Sequence, residues 1–277
     1  MTRNPEEDAA IEELWRTYLT TGEIETERRK RRLFKVLPGS PRCKNCYAPF
    51  QGVGSTVVRL VYGKRPSNLN PQLCNVCEEF ARQYQGGAEI ELSLLFADVR
   101  GSTTMAESMS PKDFGQLINR FYRATTRIMV QTDALIDKII GDQVAGMYVP
   151  GIAGPDHARR AIEAAQEMLR VTGHGAPGEP WIPLGAGVHT GTAFVGAVGS
   201  EAGTVDITVL GDAANTAARL ASSAGIGEIL ISDAAYSASG IDGDSLEKRS
   251  LDLKGKSAPM SVHVLSEYLP SPVTGEE

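Results

Sequence analysis

The chain has 277 residues, 42% of them hydrophobic and 22% charged, with a formal net charge of −6 at pH 7. That balance is ordinary for a globular protein; no apolar run reaches the length of a membrane span, and the acidic, polar start does not read as a secretory leader, so a cytoplasmic location is expected. The charge is uneven, with +3 over residues 1–90 and −9 over the remainder, and an acidic main body argues against nucleic acid as the chief partner.

Residues 5–33 are expected to be helical, with Ile11, Leu14, Trp15 and Tyr18 as a partial apolar stripe. The basic run from Arg28 to Arg32 reads as a solvated helix face. Pro38-Gly39-Ser40-Pro41 then breaks the helix. Segment 1–37 is therefore a helical lead-in, and segment 38–85 is a module holding every cysteine of the chain. Cys43 and Cys46 form one C-x-x-C pair, Cys74 and Cys77 the other, with 27 residues between. Four thiolates in two such knuckles suit a tetrahedral structural Zn²⁺; an iron–sulfur cluster has the same ligand count, and a redox dithiol pair or four unliganded thiols are the remaining readings. Adjacency to the main domain suggests a module that senses a signal.

Gly86-Gly87 marks a boundary, after which the main domain runs over 90–267. Glu91 to Ala97 reads as a buried strand that ends at Asp98. Ser110-Pro111-Lys112-Asp113 opens a helix, with Phe114, Leu117, Ile118 and Phe121 on its core face. Residues 134–140 and 143–149 read as strands joined by the tight hairpin Gly141-Asp142. A helix follows from about Asp156 to a stop at Gly173. Residues 184–198 form a Gly-rich strand or pair of strands, and 205–210 another strand. Asp212 is expected to cap a helix that carries Asn215 and Arg219 and ends near Gly225. Short strands are expected near 228–232, 247–253 and 261–266, then a flexible tail over 268–277. The order is β-α-β-β-α-β with additions, an α+β sandwich of the ferredoxin-like kind.

The chemistry-bearing residues stand at the ends of these elements. Asp98 and Asp142 are far apart in sequence, and a strand end beside a hairpin tip in one sheet would bring them together as a site for Mg²⁺ or Mn²⁺. Gly101, Ser102 and Thr103 would then offer backbone N–H groups to phosphates. Asn215 and Arg219, at i and i+4, share a helix face; the Arg suits charge developing on a phosphoryl group and the Asn a sugar oxygen. Lys138 lies four residues before Asp142 and is expected on the same strand and sheet face, a donor suited to adenine N1. Taken singly, each has a plainer reading as a helix cap, a turn acid or a surface cation.

Together these segments resemble the catalytic domain of class III nucleotidyl cyclases, over about two-thirds of the chain. The matching pieces are Phe96-Ala97-Asp98-Val99-Arg100-Gly101-Ser102-Thr103, Lys138-Ile139-Ile140-Gly141-Asp142, Gly187-Val188-His189-Thr190-Gly191, the run from Val209 to Arg219, and Leu253-Lys254-Gly255. The resemblance implies that Asp98 and Asp142 bind two metal ions, that Lys138 and Thr208 read the base, that Asn215 positions the ribose, that Arg219 stabilises the pentavalent transition state, and that Lys254 contacts the distal phosphates. It implies a head-to-tail homodimer whose pockets take the metal aspartates from one chain and the base readers, Asn and Arg from the other. Many adenylate cyclases place Asp where Thr208 stands, and the resemblance is to the Thr-containing subgroup, parts of which respond to bicarbonate. Guanylate cyclases typically place Glu where Lys138 stands, so ATP is the favoured substrate. A guanylate or mixed-specificity cyclase and a silent nucleotide-binding dimer are the alternatives. His189 reads as structural.

Overall fold

The computed structural model describes residues 4–22, 25–200, 203–241, 246–253, 255 and 258–266. Lys254 and the expected tail lie outside the described residues.

Helix α1 (Pro5–Thr20) begins at Asn4, whose side chain accepts from the Glu6 N–H, with Pro5 in the first turn. Trp15 and Leu19 are buried, and the Trp15 indole donates to the Tyr84 carbonyl at 2.8 Å. Helix α2 (Glu25–Val36) is separate, so the single helix expected over 5–33 is two. The break has a steric cause. Gly22 adopts φ +65°, and a Cβ there would stand 2.1 Å from the Gly151 carbonyl oxygen. Within the basic run, Arg29 and Arg32 are exposed as expected of a solvated face, but Arg31 is not. Arg31 is buried, stacks 3.8 Å over the Tyr47 ring, and donates to the Asn45 and Ala134 carbonyls.

Helices α3 (Gly52–Tyr62) and α4 (Asn75–Gln83) frame the cysteine module, and Cys74 is the N-cap of α4. Strand β1 (Gly86–Val99) follows at once. The glycines expected as a boundary are its first residues, because β1 and the facing strand come too close there for side chains. A Cβ on Gly87 would lie 2.4 Å from the Val195 carbonyl oxygen. Next come α5 (Ser102–Ser108), α6 (Pro111–Gln131), β2 (Leu135–Ile140), β3 (Gln143–Tyr148), α7 (Pro150–Ala153) and α8 (His157–Thr172). Ser110 caps α6 by accepting from the Asp113 N–H, and Gly173 ends α8 in the left-handed region. Strand β4 (Leu184–Gly199) is one long strand rather than two. Strand β5 (Val205–Leu210), α9 (Asp212–Ser223), β6 (Glu228–Ser232), α10 (Asp233–Ser239), β7 (Glu247–Leu251) and β8 (Met260–Ser266) complete the chain.

The strands form one sheet in the order β2-β3-β1-β4-β6-β8-β7, with β5 paired to the far half of β4. Every pairing is antiparallel except β4 with β6. The inner order β4-β1-β3-β2, with α6 and α8 as the crossovers, is the expected ferredoxin-like unit. Alternate residues of β1 face opposite layers. Leu95, Ala97 and Val99 join the cluster of α6 and α8, whereas Leu92, Leu94 and Phe96 join that of α1 and α9. Helix α9 lies directly on β4 because Gly187 has no side chain; a Cβ there would be 2.3 Å from the Ala221 nitrogen.

Candidate active site

Asp98 stands one residue from the end of β1, opposite Gln143 at the start of β3. The hairpin tip lies alongside, since the Val99 N–H donates to the Asp142 carbonyl at 3.0 Å. Gly141, at φ +62°, makes the turn. The two acids thus share one rim of the sheet. Asp98 meets Arg100 at 2.6 Å and accepts from Gln143 Nε2 at 3.3 Å, while the Ser102 hydroxyl donates to the Asp142 carboxylate. Partial burial raises the Asp98 pKa, the neighbouring Asp142 charge adds to the rise, and Arg100 opposes it. Two crowded carboxylates with hard oxygen donors fit Mg²⁺ or Mn²⁺, whose charge would relieve that repulsion.

Gly101, at φ +69°, is the N-cap residue of α5, and the first turn of that helix holds Ser102 and Thr103. Arg100 continues from Asp98 to the C-terminal end of α9, donating to the Ser222 carbonyl at 2.8 Å. On α9, Ala213, Thr216, Ala217, Leu220 and Ala221 face inward. Asn215 is exposed and Arg219 half-buried on the other side, as their i, i+4 spacing requires. The Arg219 guanidinium lies beside the Gly255 backbone, 3.2 Å from where a Cβ would stand. Gly211 is the N-cap residue and Asp212 the first residue of the helix, one position later than expected for Asp212; Gly211 has the φ of +130° that the turn demands.

Lys138 and Asp142 do not share a strand. Strand β2 ends at Ile140, and its register shifts between Ile136 and Lys138, which breaks the simple alternation. Lys138 instead meets Thr208 through a residue that sequence reasoning passed over. The Thr208 hydroxyl donates to Asp137 Oδ1 at 2.6 Å, and Lys138 Nζ lies 3.9 Å from Asp137 Oδ2. Lys44, from the first cysteine knuckle, sits 2.5 Å from the Asp206 carboxylate and donates to the Asp137 carbonyl at 3.2 Å. The signal for Asp137 was an acid inside the apolar run Leu135-Ile136 … Ile139-Ile140. His189 has a structural partner, with Nδ1 2.8 Å from the Ser232 hydroxyl.

The four cysteines converge. All are buried and free of disulfides, and their sulfurs lie within 4.8 Å of one another. Backbone N–H groups of Cys74 and Cys77 point at the sulfurs of Cys43 and Cys74, and Lys64 and Asn45 donate to Cys46 and Cys77. Donors aimed at sulfur stabilise thiolates, so the donor set fits a soft or borderline metal ion.

A twisted α+β sheet with paired acids on one rim and an outward Asn and Arg on the neighbouring helix is the build of a nucleotidyl cyclase domain. The chain belongs to the family described as the adenylate and guanylate cyclase catalytic domain, whose model matches residues 87–267. An adenylate cyclase of Mycobacterium tuberculosis is 31% identical over 194 residues, which are 68% of this chain and 43% of that protein. One from Anabaena cylindrica is 33% identical over 135 residues, 47% of this chain and 26% of that protein. Among solved structures, the adenylyl cyclase CyaB from P. aeruginosa matches with a TM-score of 0.54 at 27% identity, covering 65% of this chain and 96% of that chain. The chain spans under half the length of these two curated relatives. No helix among the described residues is long and apolar enough to cross a membrane.

Proposed function

We propose that the chain is an adenylate cyclase that converts ATP to 3′,5′-cyclic AMP and pyrophosphate in pockets shared by two copies. The convergence of Asp98 and Asp142 beside the β2–β3 hairpin carries this reading. Two divalent cations held by these acids would acidify the ribose 3′-hydroxyl and neutralise the triphosphate. The chain's own groups do the rest. Asn215 orients the ribose so that the 3′-oxygen faces the α-phosphorus. Arg219 offsets charge that develops on the α-phosphoryl oxygens as the new P–O bond forms and pyrophosphate departs. Lys138 and Thr208 bind the base, the N–H groups at Gly101, Ser102 and Thr103 face the phosphates, and the family resemblance assigns Lys254 to the distal ones.

The set is proposed to be divided between two copies. In support, the end of α9 tied to Asp98 through Arg100 is Ser222, seven residues past Asn215, or about 10 Å along the helix. A second copy, head to tail, supplies Asn215 and Arg219 to the first copy's Asp98 and Asp142. Exposed Ile140 beside the hairpin and exposed Val198 and Leu210 offer apolar surface for that contact. The test is product analysis of purified protein with Mn²⁺ and ATP or GTP side by side. Cyclic AMP in excess is expected. Cyclic GMP from GTP as the sole product, or nucleotide binding without turnover, would overturn the assignment.

Segment 38–85 is proposed to hold one Zn²⁺ through Cys43, Cys46, Cys74 and Cys77. Zinc–sulfur bonds of about 2.3 Å in a tetrahedron set sulfurs about 3.8 Å apart; Cys46 and Cys74 sulfurs are 3.7 Å apart. That spacing favours one ion over an iron–sulfur cluster, which spreads its thiolates across several irons. At this knuckle Lys44 reaches the Asp137 carbonyl on β2, and Tyr47 just beyond it donates to the Ala134 carbonyl on the flank of β2, so metal loading is proposed to regulate the base-binding corner. Metal analysis should find one zinc per chain in colourless protein; a brown protein with visible absorption would replace zinc with iron.

A further inference from the structure

Asp137 is 2% exposed, in the middle of an apolar edge strand. A buried carboxylate there needs a reason, because desolvation disfavours its charge. Burial does raise its pKa, while Thr208, Lys138 and Lys44 hold it down. Its Oδ1 accepts from Thr208, and its Oδ2 is buried with no hydrogen-bond partner among the described residues. Among the described residues Thr208 is the one side chain that hydrogen-bonds this carboxylate, beside a backbone bond from Val209, so rotating the hydroxyl away would take a partner from a buried acceptor.

This fixes what Thr208 shows to a ligand. A threonine hydroxyl has one proton and two lone pairs, and an ionised carboxylate only accepts. With its proton committed to Asp137, Thr208 presents lone pairs alone. An exocyclic amine can donate to them; a keto oxygen at the same place meets lone pair against lone pair. We propose that Asp137 is a positioning residue for base selection, which turns Thr208 into an obligate acceptor so that the pocket takes a 6-amino purine and rejects a 6-keto one. The inference rests on the reading of Thr208 as a base contact, and it assigns to Asp137, through Thr208, the acceptor role that an acid at position 208 would fill directly.

The test compares ATP with purine riboside triphosphate, which lacks only the 6-amino group, and with inosine triphosphate, which carries a 6-keto group. Selectivity is read as the ratio of kcat/KM values, and as the ratio of Kd values by competition against a fluorescent ATP analogue. A ratio is internal to each preparation, so loss of folded protein cancels. Thr208→Val should lower the preference for ATP over purine riboside triphosphate about tenfold, the worth of one neutral hydrogen bond. Asp137→Asn should lower it comparably and relieve the penalty on inosine triphosphate, because an amide can donate to Thr208 and free its proton for a keto group. Asp137→Ala, which frees the hydroxyl without offering a donor, should also lose the preference. In the Thr208→Val background Asp137→Asn should change the ratios no further. Loss of selectivity in Thr208→Val with full selectivity in both Asp137 variants would overturn the inference and leave the base reading standing. Unchanged ratios in all variants would overturn the base reading itself.

Discussion

Asp98 and Asp142 are costly residues to place together, and that cost predicts what their removal does. The raised pKa of Asp98 means that its charged form is disfavoured where it stands. Asp98→Ala and Asp142→Ala should each abolish cyclase activity, a loss of at least about 10²-fold. Metal-free Asp142→Ala should unfold at the same temperature as the parent chain or slightly above it, because a like charge has gone; calorimetry without divalent cations checks this. Arg219→Ala should lose about 10²- to 10³-fold in kcat with KM nearly unchanged, as expected for a group that acts on charge formed in the transition state. At this scale the sequence was legible for placement: Asp98 and Asp142 stand at a strand end and a hairpin tip, and Asn215 and Arg219 share a helix face, as expected. Asp137 was not legible, because whether an acid beside Lys138 turns inward depends on the register shift in β2, which no local pattern encodes.

The elements were legible where periodicity or a cap fixed them, as for α6, α8, α9 and the β2–β3 hairpin. They were obscure where backbone contact with a distant segment decided. The turn at Gly22, which splits the lead-in helix, exists because Gly151 lies against it, and the Gly86-Gly87 pair belongs inside β1 because Gly196 faces it. Gly87→Ala would press a methyl onto Val195 and Phe194 and should destabilise the domain by about 1–3 kcal/mol in urea unfolding. A second element-level test concerns the turn into β6. Glu228 accepts from Arg249 at 2.9 and 3.1 Å and from the Gly225 N–H at 2.7 Å. Those bonds, Arg249 first, lower the Glu228 pKa. A depressed carboxylate contributes stability above its unfolded value of about 4.3 and loses it as pH falls through its lower native value. Glu228→Gln should therefore be less stable than the parent near neutrality, and the two unfolding curves should converge in acid.

At the scale of the whole molecule, the cysteine module and the cyclase domain meet at the corner proposed to bind the base. Lys44 and Asn70 bridge from the module to Asp137, Val205 and Asp206 on β2 and β5. Adjacency in sequence suggested a sensor, but only the fold places the cysteine knuckle against those two strands. Stripping the metal should raise KM for ATP more than it lowers kcat, and readdition of zinc should restore it; unchanged kinetics in metal-free protein would separate the module from the site. The claim on which everything else depends is the pocket built from two copies. Mixing Asp98→Ala with Arg219→Ala protein measures it most directly. Each variant alone should be silent, and the re-equilibrated mixture should recover about a quarter of the parent activity, since half the dimers then hold one intact pocket of two. A mixture that stays silent, while the parent chain under the same conditions makes cyclic AMP, would contradict the account.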